Sequence, residues 1–319
     1  MLKPVVIVAG ITTLALASDP LGTVPRGALV LDQGWQMQSS AIVSEGGAVL
    51  SLPGQPRGTW HKTDVPTTVL GALVRLGVYP DPYVGTNNML IPDASDDHNQ
   101  RFDLARFSHL PDKSNPWAKP WWFRCEFRLS DDYRGKVVWL HLDGINYRAD
   151  VWLNGHPIAQ AQDVAGMFRR FRFDATRWVR PGGANALAIC IHPLDHPGDP
   201  VHEQLDGLPG GFGPNGGDGE ILRNVTQYCA IGWDWVPAAR DRNIGLWQHV
   251  WLEATGPVAV REPAAFTDVR LPDRDAAAVT LRLQLENAAA LEINLYIRRN
   301  ERRDFFCFER FSGGCSHPG

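Results

Sequence analysis

Between Gly232 and Trp247 the chain reads GWDWVPAARDRNIGLW, setting Trp233, Asp234 and Trp235 side by side and following them with Arg240, Asp241 and Arg242. Indole faces stack on the C–H face of a pyranose, a carboxylate accepts hydrogen bonds from sugar hydroxyls, and a guanidinium donates them in a fixed fork. This composition suits a carbohydrate. It also suits a tryptophan-rich strand end in a β-core braced by Arg–Asp pairs, and the residue types leave both readings open. A charge buried in such a loop has to be paired, which favours Arg240 or Arg242 as a structural partner over a direct sugar ligand.

Other candidate chemistry is thinner. His192, His196 and His202 fall in a stretch from His192 to Asp218 that is rich in Pro and Gly and long for a connection inside a domain. No carboxylate or cysteine at metal-ligand spacing accompanies them, so they read as solvated or hydrogen-bonded loop histidines, and neither a metal nor a cofactor is expected. Glu126, Glu253 and Glu286 sit on the polar phase of strand-like runs, the ordinary place for a solvated carboxylate.

The elements that must position these groups read mostly as strands. From Trp121 to Leu129 apolar Trp121, Phe123, Cys125, Phe127 and Leu129 alternate with Trp122, Arg124, Glu126 and Arg128, the period of a strand with one buried face. Val137 to Leu142, Tyr147 to Leu153, Phe168 to Phe173, Ala186 to Ile191 and Gln248 to Leu252 have the same character, and Asn154-Gly155 is a strong hairpin-turn signal. Helical spacing is scarce. The best run is Val65 to Leu76, through Val65, Val69, Leu73 and Leu76. Together these predict an all-β antiparallel sandwich with one short helix.

At 319 residues and 44% hydrophobic content the chain buries one large domain and part of another. Net charge is -4 with no basic stripe, which argues against a nucleic-acid partner. Lys3, the apolar run Pro4 to Ala17 and the small residues before Ser18-Asp19 have the layout of a cleavable secretory signal. That layout predicts a secreted or periplasmic protein with no membrane attachment after cleavage; a first β-strand is the competing reading. Five cysteines leave at least one unpaired in a monomer, and Cys125 and Cys190, in strand-like runs, read as buried free thiols.

After Gly256-Pro257 a second β pattern begins with Val258 to Val260 and continues through the alternation of Val279 to Leu285 and then Leu291 to Ile297. These are fewer strands than the roughly seven of an immunoglobulin-like sandwich. From Arg298 the sequence RRNERRDFFCFERFSGGCSHPG abandons the alternation, as a frame-disrupted end or a natural basic tail would.

The runs KPWWFRCEFRL, GINYRADVWLNG, MFRRFRFDAT, HPLDHPGDP and GGDGEILRNVTQYCAIGWDWVPAARDRNIGLW resemble the N-terminal sugar-binding domain of glycoside hydrolase family 2, almost continuously from about Gly34 to Pro257. The likeness is greatest to the branch of mannosylglycoprotein endo-β-mannosidases and exo-β-D-glucosaminidases. It implies a galactose-binding-like jelly-roll β-sandwich over 18–256, after a signal peptide at 1–17, then an incomplete immunoglobulin-like β-domain at 257–297 and an anomalous tail at 298–319. It also implies that both catalytic carboxylates belong to a (β/α)8 barrel. Such a barrel takes about 250 residues, so it is expected as a missing intramolecular partner, and the chain as inactive alone.

The family's general acid/base is a Glu directly after an Asn. The one such pair here, Asn300-Glu301, lies among Arg298, Arg299, Arg302 and Arg303, which would hold a carboxyl down where a proton donor needs it raised, so no catalytic residue is nominated. What the resemblance carries over is substrate positioning. Asp234 accepts from sugar hydroxyls, Trp233 and Trp235 wall the pocket, and Arg240, Asp241 and Arg242 hold the loop. The loop Asp81 to Asn88 also matches one on the active-site side, with Asn87 as a sugar contact, or as part of a purely structural turn. The expected function is the substrate-positioning part of an exported retaining hydrolase of β-mannosides or β-glucosaminides; the alternative is a stand-alone carbohydrate-binding module.

Overall fold

The computed structural model describes residues 6–8, 24–25, 27–55, 58–92, 115–193, 242–269, 271–272, 277–288, 293–294 and 310–311. The chain divides into one unit from Val24 to Glu253 and a second made of Met1–Thr23 with Ala254–Gly319.

The first unit is built on two sheets. One has six strands in the order His156–Ala159, Arg148–Leu153, Ala184–His192, Trp121–Arg128, Trp35–Ser39 and His61–Thr63, all antiparallel. The other runs Phe171–Asp174, Val137–Leu142, Val250–Thr255 and Leu29–Val30. Because side chains alternate across a strand, register decides what enters the core. Trp35 and Leu187 lie opposite Cys125, Met37 and Ile189 opposite Phe123, and Ile191 opposite Trp121, all essentially sealed from solvent. The four-stranded sheet buries Val138, Leu140, Leu142, Phe171, Val250 and Leu252. Burying each large side chain stabilises by about 1.5–3 kcal/mol, which makes these two faces the core of the sandwich. The all-β class expected from the sequence is what is found, and the Asn154-Gly155 turn closes its hairpin with positive φ of 51° and 90°.

Three elements differ from the sequence reading. The run Phe168 to Phe173 forms a strand only at Phe171–Asp174, where pairing with Val137–Leu142 begins. The strand Trp121–Arg128 is buried on both faces over its first half, since Trp122 and Arg124 are 7% and 2% exposed. The cause is a cover. The short helix Gly47–Leu50 lies over that face, where Leu50, Trp122, Ala188 and Cys190 pack together with Val43, Trp60 and Trp152. Arg124 enters this cover by donating to the Leu50 and Leu52 carbonyls at 3.0 and 3.3 Å, to Gln36 at 3.1 Å and to Glu126 at 2.8 Å. The predicted helix from Val65 is shorter than its spacing suggests and occupies Val69–Arg75. Pro66 keeps Val65 out of the helix, and Thr67–Thr68 is drawn into a strand instead.

That strand belongs to a small sheet at one end of the sandwich, in the order Thr67–Thr68, Gly245–Leu246, Ile145–Asn146. A side chain at position 245 would meet the Thr67 carbonyl oxygen at 2.6 Å, so the close pairing requires glycine.

In the second unit, Val258–Val269 and Ala277–Asn287 form a long antiparallel hairpin with a register shift between Arg261 and Ala264. Val6–Val8, within the expected secretory signal, adds a third strand against Ala278–Thr280. Ile293–Asn294 pairs with Arg310–Phe311. No helix among the described residues is long and apolar enough to cross a membrane.

Candidate saccharide-binding rim

The small sheet leads directly into the helix Val69–Arg75. Thr68 caps it, its hydroxyl accepting from Gly71 N at 3.0 Å, while Val69 N donates to the Ile244 carbonyl at 2.8 Å. After the helix the chain turns inward at buried Tyr79 and outward again through a loop that carries Tyr83 at 81% exposure. That loop is closed on itself. Tyr83 N donates to the Asp81 carboxylate at 2.9 Å, and Asn87 Nδ2 donates to the Asp81 carbonyl at 3.0 Å. Asn87 then opens a single 3-10 turn, Asn87–Leu90, and the Trp117 indole fixes the far end by donating to the Pro92 carbonyl at 2.8 Å.

Arg242 reaches into this loop from the other side. Its side chain is 1% exposed, and its Nη2 donates to Asn88 Oδ1 at 2.7 Å. Burial pushes the Tyr79 phenol up while the Arg242 guanidinium beside it works in the opposite direction. The neighbouring backbone is held as well, Asn146 Nδ2 donating to the Asn243 carbonyl at 2.9 Å. A buried guanidinium thus ties the segment entering the small sheet to the loop 81–92, two stretches more than a hundred and fifty positions apart. The amide Arg242 engages is Asn88 rather than the neighbouring Asn87. Sequence reasoning passed over Asn88, although an amide next to a nominated amide was the available signal.

Of the residues nominated from sequence, Asn87 and Arg242 lie at this rim, where Asn87 serves its own loop and Arg242 is buried. Trp233, Asp234, Trp235, Arg240 and Asp241 lie outside the described residues.

The strand end at the other margin is equally well anchored. His192 Nε2 lies 2.6 Å from Asp150 Oδ2, Asp150 Oδ1 accepts from Ala161 N at 2.7 Å, and Arg148 donates to the Pro193 carbonyl at 3.4 Å. His192 is therefore hydrogen-bonded at the end of a strand, while His196 and His202 lie outside the described residues. The strand carboxylates each meet a specific partner: Glu126 meets Arg124 at 2.8 Å, Glu253 meets His141 at 3.2 Å and Glu286 meets Arg261 at 2.9 Å. Cys125 and Cys190 are buried free thiols, with burial pushing the latter up to about 12. Among the described residues no three metal-ligating side chains come together.

The fold is thus a two-sheet antiparallel β-sandwich with a polar rim at one end. Residues 105–248 match the family model for the glycosyl hydrolase 2 galactose-binding domain-like family. The chain carries the N-terminal galactose-binding-like domain of glycoside hydrolase family 2. It is 36% identical over 240 residues to the mannosylglycoprotein endo-beta-mannosidase of Lilium longiflorum, covering 74% of this chain and 22% of that protein. To the exo-beta-D-glucosaminidase of Streptomyces avermitilis it is 30% identical over 255 residues, 80% of this chain and 22% of the relative. The crystal structure of the exo-chitosanase of Amycolatopsis orientalis superposes with a TM-score of 0.60 at 26% identity, over 84% of this chain and 25% of that one. The chain thus spans about a fifth of the length of the curated relatives it matches.

Proposed function

We propose that this chain is the substrate-positioning part of an exported retaining glycoside hydrolase that acts on β-mannosides or β-glucosaminides. The observation that carries the proposal is the 36% identity over 240 residues, 74% of this chain, to an endo-beta-mannosidase. In this reading the Asn88–Arg242 contact holds two loops of the sandwich together as one wall of a saccharide cleft. Asp234 accepts from sugar hydroxyls, Trp233 and Trp235 wall the pocket, Asn87 stands at its edge, and Arg240 and Asp241 brace the loop with Arg242. Retaining hydrolysis needs a nucleophile and an acid/base about 5–5.5 Å apart, and that pair resides in a barrel outside this chain. One wall alone buries little of a ligand and binds it weakly. What supports export is the layout of Lys3 followed by the apolar run Pro4 to Ala17.

The test has two parts. The chain alone is titrated with β-mannooligosaccharides and with chitosan oligosaccharides by isothermal calorimetry, and hydrolysis is then assayed for the chain alone and for the chain continued into the remaining length of its lily relative. Weak binding abolished by Asp234→Ala, with hydrolysis confined to the extended protein, is expected. Binding of neither glycan, or turnover by the chain alone, sinks the proposal.

A further inference from the structure

One large aromatic side chain on the described surface is held in place without being covered. Phe168 is 68% exposed, yet its ring stands edge-to-face on Trp247, with centroids 5.6 Å apart and planes at 89°. Trp247 is itself locked. Its indole donates to the Met167 carbonyl at 2.9 Å, and its backbone N donates to the Gly144 carbonyl at 3.2 Å. A Cβ at position 144 would meet Gln248 Cγ at 2.8 Å and the indole at 2.9 Å, so glycine there leaves Trp247 its place. The loop before Phe168 is fixed by Gly166 N donating to the Tyr147 carbonyl at 3.0 Å. A solvent-facing ring with a fixed plane, braced by a second aromatic, is the arrangement that stacks on a sugar ring, since little rotamer freedom is lost on contact.

Its place ties it to the rim already described. Trp247 immediately follows the strand Gly245–Leu246, whose Gly245 pairs with Asn146, and Asn146 in turn holds the backbone beside Arg242. The five residue steps from Arg242 to Trp247 span at most about 18 Å when extended, a reach that a short oligosaccharide can bridge. Charge narrows the class of sugar. Arg169 and Arg170, both exposed, directly follow the ring. Arg169 is committed to Phe171, 4.9 Å from its centroid, and to the Ala165 carbonyl at 3.0 Å. The charge facing them from a neighbouring strand is the buried carboxylate of Asp143, which senses Arg170 and His249. The exposed charges next to the ring, those of Arg169 and Arg170, are cationic, and they repel a polyamine sugar while leaving a neutral one unaffected.

We propose that Phe168, braced by Trp247, is an outer stacking platform for a neutral hexose unit of the bound glycan, which selects β-mannosides over amine-bearing glucosaminides. The inference rests on the saccharide reading of the rim and assigns its specificity.

The experiment titrates the intact chain and its Phe168→Ala and Asp234→Ala variants with mannose, β-mannotriose and chitosan trimer, by ligand-observed NMR and calorimetry. The Phe168 side chain is exposed, so its truncation leaves the fold intact, which circular dichroism verifies. The expected result is a loss of about five- to tenfold in β-mannotriose affinity for Phe168→Ala, the scale of one aromatic contact, with mannose unmoved. Chitosan trimer should bind more weakly than mannotriose and gain when Arg170→Gln removes a positive charge. If Asp234→Ala abolishes binding while Phe168→Ala leaves mannotriose unchanged, the platform is refuted and the saccharide rim survives. If the unaltered chain binds none of the three, both fall. If Phe168→Ala changes only the oligomeric state seen by sedimentation, the ring belongs to a contact between copies, and the platform is again refuted.

Discussion

The contact between Arg242 and Asn88 is a donor–acceptor pair, one side charged, between side chains 2.7 Å apart, with the guanidinium 1% exposed. Hydrogen bonds to a charged group contribute about 1.5–3 kcal/mol, so a coupling energy of about 2 kcal/mol is expected between these side chains. Arg242 has further interactions, which a single substitution would remove together with this one. A double-mutant cycle of Asn88→Ala and Arg242→Met isolates the pair, because every contact of Arg242 other than that with Asn88 is lost equally in both arms. Urea unfolding followed by tryptophan fluorescence gives the four free energies. In a domain of this size 1 kcal/mol moves Tm by about 2–4 °C, which puts the coupling at roughly 4–8 °C in thermal melts. Each single variant should also weaken glycan binding by freeing loop 81–92. A coupling energy below about 0.5 kcal/mol would refute the assignment of this pair as the brace between the two loops.

Other expectations follow from the packing. Arg124→Met leaves the Leu50 and Leu52 carbonyls without their donor, and at about 1–2 kcal/mol for each orphaned acceptor the domain should lose about 2–4 kcal/mol in urea unfolding, whereas partly exposed Glu126 rehydrates. Burial raises the Asp143 carboxyl above its ordinary value, against the Trp251 indole that donates to it at 2.8 Å and the charges of Arg170 and His249. A carboxyl raised in the folded state disfavours that state once pH exceeds the unfolded value, so Asp143→Asn, which keeps an acceptor for the indole, should melt higher at neutral pH. That advantage should vanish as pH falls to about 4; a variant that melts lower at neutral pH contradicts it. Because burial raises both thiols, Cys125 and Cys190 should resist iodoacetamide at pH 8 until the chain is unfolded, as peptide mapping by mass spectrometry would read directly.

The sandwich was legible wherever a strand has one wet face. Val137–Leu142 came out with the bounds its alternation predicts, because Val138, Leu140 and Leu142 enter the core in step. Arg124 was not legible. Period-two reading assigns alternate residues to solvent, and nothing in the run Trp121 to Leu129 announces that Gly47–Leu50 lies across its other face. The helix was overextended for a related reason, since the spacing of Val65, Val69, Leu73 and Leu76 counts apolar positions but not the strand pairing that claims Thr67 and Thr68. At the rim, the sequence reading has Arg242 hold the loop together with Arg240 and Asp241, whereas the contact described is with the Asn88 amide. A contact across more than a hundred and fifty residues leaves no local mark beyond the place of Asn88 beside Asn87.

Three contacts described above share a mechanical property. Trp117 clasps Pro92, Arg148 clasps Pro193, and Arg242 clasps Asn88, each tying together positions far apart in the chain. Strand register is thereby pinned at these points by side chains of the scaffold itself, which makes the clamps natural splice points for exchanging segments between relatives.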